Sequence, residues 1–226
     1  MERTVRLTTT GFYDVSVPAA PERGTRLPLL IALHGYGGTK ESILAVARRI
    51  VGADCVIAAL QGTQQMMNRR RGLSPRPGFG WGTMHNAEAN QRLHHDFVRA
   101  VLADLRRRGP ADPTRVFLLG FSQSVALNYR FAFTYPNVIR GVIAVCGGIP
   151  GDWETSGRYR RSATHILHIS GTKDPFYPLA RVRTYGAALA RRARSVEHRF
   201  LPVGHRFPRR SLPMIRRWLL EKASSG

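Results

Sequence analysis

Ser122 stands third in Gly-Phe-Ser-Gln-Ser, residues 120–124, where an apolar run gives way to a helical pattern. A serine hydroxyl is a poor nucleophile until a base takes its proton, and the base needs an acid partner to hold its tautomer. Both partner types occur downstream. Asp174 lies in HISGTKDPFYP, just beyond one apolar run, and His205 lies in LPVGHRFP, just beyond the last. Upstream, LHGYGG at 33–38 closes another apolar run with glycines that let backbone amides approach a ligand closely. The chemistry these residue types allow together is acyl transfer: attack on a carbonyl, with amide N–H groups holding the oxyanion that forms.

Each piece has a bland reading when taken alone. Asp174 suits a turn before Pro175, His205 suits a surface loop, and His34 suits a brace for a Gly-rich turn. The joint arrangement is more specific. A tight strand-to-helix turn lifts a serine hydroxyl to the edge of a sheet and points the next N–H at the same spot, and acid and base then follow in the order Ser, Asp, His. Residues flanking that turn must be small because strand and helix backbones crowd there. Gly120 meets the demand fully, and Ser124 is read as the next smallest choice, held for its size.

The elements that would carry these residues alternate. Short apolar runs at 27–35 and 55–60 read as strands buried in a parallel sheet, and the runs at 112–121, 141–148 and 164–170 read as further strands. YDVSV at 13–17 alternates and reads as a further strand, and VEHRFLP at 196–202 as the last. Helical spacing fills 40–51, 88–109, 124–136, 179–193 and 209–223. The fold class is therefore α/β, a mainly parallel central sheet with helices on both faces. One domain over 1–226 is expected, with a long polar insertion at about 61–88 that has no sustained period. Stretches of that length are usually functional or mobile. Within it Met66, Met67, Phe79 and Trp81 are candidates for an acyl pocket, or equally for packing under a loop.

Composition narrows the classes. The chain has 226 residues, 43% of them hydrophobic, enough for a full core. It has no apolar leader at its start and no run of about 18 apolar residues, so a cytoplasmic protein with no transmembrane segment is the expectation. Cys55 and Cys146 sit in apolar runs and read as core thiols. Two adjacent histidines, His94 and His95, and a third at His85 raise a metal site, but adjacent positions face different sides of a helix and no acidic or Cys set completes it. No metal and no cofactor are expected. The net charge is +21, with lysine only at 40, 173 and 222. Such a charge favours anionic partners, but the preferred reading is a bias towards arginine with the charges on solvated helix faces. The arginines are spread along the chain, including the run Arg69, Arg70, Arg71, and no nucleic-acid-binding motif accompanies them.

The motifs LHGYGG, GFSQS, GTKDPFYP and GHRFP resemble those of the α/β-hydrolase superfamily, most closely its phospholipase/carboxylesterase group, which includes acyl-protein thioesterases. The resemblance runs from about residue 13 to 220. It implies Ser122 as nucleophile, His205 as general base and acid, Asp174 as its orienting partner, and the amides of Tyr36 and Gln123 as the oxyanion hole. It implies a carboxylesterase acting on small-molecule esters. A thioesterase on acylated proteins or acyl-coenzyme A would use the same residues. A basic module that binds anionic polymers or membranes without catalysis is the reading from another class. Ser124 departs from the family, which usually has glycine there.

Overall fold

The computed structural model describes residues 3, 5, 7–19, 26–68, 74–83, 85–108 and 111–225. A seven-stranded sheet forms its centre. The strands are β1 (Tyr13–Ser16), β2 (Leu27–Leu33), β3 (Val56–Leu60), β6 (Ala111–Phe121), β7 (Gly141–Val145), β8 (His165–Gly171) and β9 (Ser195–Leu201), in spatial order β1-β3-β2-β6-β7-β8-β9. The first strand runs antiparallel to β3, and every other pairing is parallel.

Side chains alternate along the inner strands, and both faces are covered. Leu29, Ile31 and Leu33 of β2 join Leu118 of β6 on one face, under α2 (Ala87–Arg108), α3 (Gln123–Thr134), α4 (Leu179–Val182) and α5 (Tyr185–Ala190). Leu30, Ala32 and Leu119 point to the other face, under α1 (Lys40–Val51) and α6 (Leu212–Ser224). Helix α1 opens with a capping box, Thr39 accepting from the Ser42 N–H while Ser42 reaches back, so it starts at the residue the pattern required.

Two expectations change. The helix read over 179–193 is two short helices, α4 and α5, interrupted at Arg183 and Thr184, where the Thr184 hydroxyl donates to the Arg181 carbonyl. Side-chain bonding of this kind competes with the helical ladder. The stretch read as an irregular insertion contains a hairpin, β4 (Gln64–Asn68) antiparallel to β5 (Arg76–Gly80). The run Arg69 to Arg71 lies outside the described residues.

The chain order places the site. From β2 the chain goes outward to β3, whereas from β6 it goes the other way, through β7 and β8 to β9. The crevice beyond the carboxyl ends of β2 and β6 is thus a topological switch point, where α/β sheets bind ligands. LHGYGG leaves β2 there and GFSQS leaves β6 beside it, with Leu33 in register with Gly120.

Candidate active site

Ser122 sits between β6 and α3 with φ 57° and ψ −115°, a left-handed conformation that is strained for a non-glycine residue. Two backbone bonds hold it: its N–H donates to Val145 of β7 at 3.0 Å, and its carbonyl accepts from Val125 at 3.1 Å. The elbow is crowded. A Cβ at Gly120 would lie 2.7 Å from Asn128 Nδ2 and 3.3 Å from Val125 Cα, and one at Gly35 would lie 2.8 Å from the Phe121 ring. These two glycines let strand, helix and the loop after β2 close on one point.

The three residues singled out by type converge there. His205 Nε2 lies 2.9 Å from Ser122 Oγ, and His205 Nδ1 lies 2.8 Å from Asp174 Oδ2. A carboxylate only accepts, so Nδ1 carries the proton and Nε2 presents its lone pair to the serine hydroxyl. The Asp174 side chain is fully buried. Its other oxygen, Oδ1, accepts the N–H groups of Phe176 at 2.9 Å and Tyr177 at 3.2 Å, so the carboxylate is fixed on both sides. Three aromatic rings pack around the imidazole, Phe176 at 4.8 Å, Phe121 at 5.2 Å and Tyr177, nearly parallel, at 5.8 Å.

Beside the serine, the loop after β2 is stapled to the hairpin. The Gly37 N–H donates to Phe79 at 2.8 Å, the Phe79 N–H donates back to Gly38 at 3.0 Å, and Asn68 Nδ2 donates to the Gly37 carbonyl at 2.6 Å. The Gln123 side chain closes the same clamp from the elbow: Oε1 accepts the Trp81 N–H at 3.0 Å, and Nε2 donates to the Gly82 carbonyl at 2.6 Å. Among the described residues the N–H groups of Tyr36 and Gln123 have no backbone acceptor. A helix start leaves its first N–H groups without intrahelical partners, and Gln123 is the first residue of α3. His34 braces the loop, with Nδ1 bonded to the Gly35 carbonyl at 2.7 Å and Nε2 accepting the Gly62 N–H at 2.9 Å. Burial lowers its pKa below the usual histidine value, which keeps it neutral for that task.

The phospholipase/carboxylesterase family model matches residues 18–222. The chain belongs to the phospholipase/carboxylesterase family. It is also 28% identical over 165 residues to NocK of Nocardia uniformis subsp. tsuyamanensis, whose name carries the word esterase; the match covers 71% of this chain and 44% of that protein. The chain thus spans less than half the length of that relative. Among solved structures, a carboxylesterase of Bacillus cereus superposes with TM-score 0.73 at 16% identity, over 94% of each chain. A phospholipase/carboxylesterase from Dyadobacter fermentans superposes with TM-score 0.70 at 18% identity, covering 95% of this chain and 99% of that one. These likenesses establish the α/β-hydrolase fold.

In this family member the hydroxyl of Ser124 corrects the expectation that size alone explains the position. Ser124 is completely buried. Its Oγ lies 3.0 Å from the Leu33 carbonyl and 3.1 Å from the Phe121 carbonyl, and it accepts the Phe121 N–H at 3.1 Å. The residue ties the end of β2 to the elbow. Sequence reading missed this because hydroxyl direction is not encoded in a motif. It also missed Tyr177, whose hydroxyl lies beside that of Ser122; burial pushes the phenol pKa up while the serine hydroxyl pulls the other way. A signal was present: an Asp that accepts N–H bonds two and three residues on folds the third residue back over itself.

The four pocket candidates separate. Met66 and Met67 alternate along β4, Met66 with its methyl 2.9 Å from where a Gly80 Cβ would be, Met67 53% exposed. Phe79 joins the clamp through its backbone. Trp81 is core: it is 3% exposed, it donates from Nε1 to the His34 carbonyl at 2.8 Å, and its ring meets His34 and His94. His94 and His95, adjacent on α2, are both buried and meet different rings. Burial drives their pKa values down to about 3 and about 4. They pack edge-on against Trp81, Phe131 and Tyr135. Cys55 and Cys146 are free and buried, with thiol pKa values pushed up to about 12 and about 11, chiefly by burial.

Proposed function

We propose that this family member is a serine carboxylesterase that works through an acyl-enzyme. The observation that carries the reading is the line Ser122 Oγ, His205 Nε2, His205 Nδ1, Asp174 Oδ2, with its two contacts of 2.9 and 2.8 Å. His205 takes the hydroxyl proton as Oγ attacks the ester carbonyl, and the carbonyl electrons move onto oxygen. The N–H groups of Tyr36 and Gln123 hold that oxyanion; such donors contribute about 3–4 kcal/mol each in related chemistry. His205 then gives its proton to the departing alkoxide, and an alcohol leaves. Water repeats the sequence from the same imidazole and releases the acid. Asp174 holds the imidazole in its tautomer and steadies the imidazolium.

The staples around the loop after β2 support this reading. Donors stabilise a transition state only when they are already aimed, and Asn68, Gln123 and the hairpin fix the loop before any substrate arrives.

The test is a panel of aryl esters and acyl thioesters of graded chain length. Turnover of the esters, abolished by a serine-directed phosphonate that labels Ser122, is expected. Faster turnover of every thioester than of its matched ester would move the assignment to thioesterase. Absence of turnover across the panel, with steeply salt-dependent binding to nucleic acid, would favour the basic binding module.

A further inference from the structure

A groove of about 1170 Å³ lies between α1, the end of β9 and the turn that leads into α6. Its floor includes the side chains of Val46 and Phe207, and its walls carry Arg49 from α1 and Arg206, Arg209 and Arg210 from the turn. No carboxylate lines it. The acids of the neighbouring elements are engaged elsewhere: Asp14 and Glu41 with Lys40, Asp54 with Arg216, and Glu221 with Arg217. Among the described residues none of the four groove arginines has an ion pair. Four exposed arginines and no acidic residue thus line one groove that also carries Val46 and Phe207.

We propose that this groove binds a phosphate-headed single-chain amphiphile, an alkyl phosphate monoester in its simplest form. A guanidinium meets a phosphate through two parallel N–H bonds, and several of them answer a dianion better than a single carboxylate. The apolar floor gives the alkyl chain its place, which a polymer of phosphates would leave unused. Arg206 and Phe207 directly follow His205, and the Phe207 ring packs 6.1 Å from Phe121, which itself packs against His205. The site is thus built on the loop that carries His205, and it stands whether or not Ser122 is the nucleophile.

Titration calorimetry of the intact chain with decyl phosphate, below its micelle concentration, tests this. One site per chain is expected, with inorganic phosphate and the uncharged decyl maltoside both at least tenfold weaker. Arg209→Gln with Arg210→Gln should weaken decyl phosphate at least tenfold while the protein melts normally. Should that pair melt early, Arg49→Gln on the opposite wall serves, with several-fold weaker binding expected. Unchanged affinity in the variant that melts normally overturns the proposal. So does decyl maltoside binding as tightly as decyl phosphate, no binding of decyl phosphate at all, or a short single-stranded oligonucleotide binding more tightly.

Discussion

Ser122 and Ser124 are two residues apart in one turn, and they carry the same side chain to opposite fates. The first has strained backbone and a hydroxyl offered to a histidine. The second is wholly buried, its hydroxyl used up on the backbone of β2 and β6. What differs is competition for the oxygen. Around Ser124 the main chain supplies an N–H and two carbonyls within bonding distance. Around Ser122 the positive φ turns the side chain out of the ladder, and the imidazole and a phenol are its neighbours. Reactivity in this turn follows from which partners the backbone leaves free, not from the residue type.

That contrast breaks most visibly at Ser122. Ser122→Ala is expected to melt like the parent and to lose about 10³-fold or more in ester turnover, as removal of a nucleophile does elsewhere. Purified, folded Ser122→Ala that still turned over esters would remove the distinction between the two serines. Asp174→Asn comes next. Its carboxylate fixes Nδ1–H, and an amide that presents NH₂ there would hold the wrong tautomer. A loss on the order of 10³–10⁴-fold in kcat is expected, with KM little changed. Steady-state kinetics checks both parameters, and a tenfold loss or less would mean that the imidazole is oriented by its three aromatic neighbours instead.

The sequence told more about Ser122 than about its surroundings, for a physical reason. Strands buried on both faces must be short apolar runs, so β2, β3, β6, β7 and β8 were legible. So were the ends where Ser122, Asp174 and His205 emerge, because glycine and proline punctuate them. The hairpin β4–β5 was not legible. Its strand QQMMN mixes Met with polar residues on both faces, so no alternation marks it, and it pairs with RPGFG, where Gly78 lets the backbone come close to the loop after β2. The burial of both His94 and His95 was hidden too. Helical geometry separates adjacent residues by about 100°, and only the width of the apolar face decides whether both fit inside.

The histidines repeat the contrast between the serines and give the third prediction. His205 has a partner at each ring nitrogen. His168, fully buried on β8, has the Tyr129 hydroxyl at 2.8 Å on Nδ1, and burial drives its pKa down to about 3, as it does for His94. The unfolded chain takes up these protons near the ordinary value of 6.5, whereas the folded chain refuses them until about 3. Between those limits the unfolded state binds more protons, so stability falls as pH is lowered. Each such group costs about 1.4 kcal/mol per pH unit below 6.5. Urea unfolding at pH 7, 6 and 5 should show a loss over both steps, about 0.7 kcal/mol per group over the first and about 1.2 kcal/mol over the second. Equal stability at all three values would contradict the burial of these rings.

The smallest effect, and the sharpest test of the comparison, is at Ser124. Ser124→Ala keeps nearly the same volume and removes only the hydroxyl, which leaves the Phe121 N–H and the Leu33 carbonyl to find other partners in a dry site. An unsatisfied buried group costs about 1–3 kcal/mol, which for a chain of this size lowers Tm by several degrees. Turnover should stay within about tenfold, since the hydroxyl faces the backbone and not the reacting oxygen. Ser124→Gly should melt lower still, because it adds the unfolded-state entropy of glycine to the same loss. If size were the whole reason for serine, alanine would melt like the parent, and the tie between β2 and the elbow would be worth nothing. If alanine instead melted normally and lost far more than tenfold in turnover, Ser124 would belong with Ser122, and the two serines would not be opposites. Melting curves and kinetics measured on the same preparations separate these outcomes.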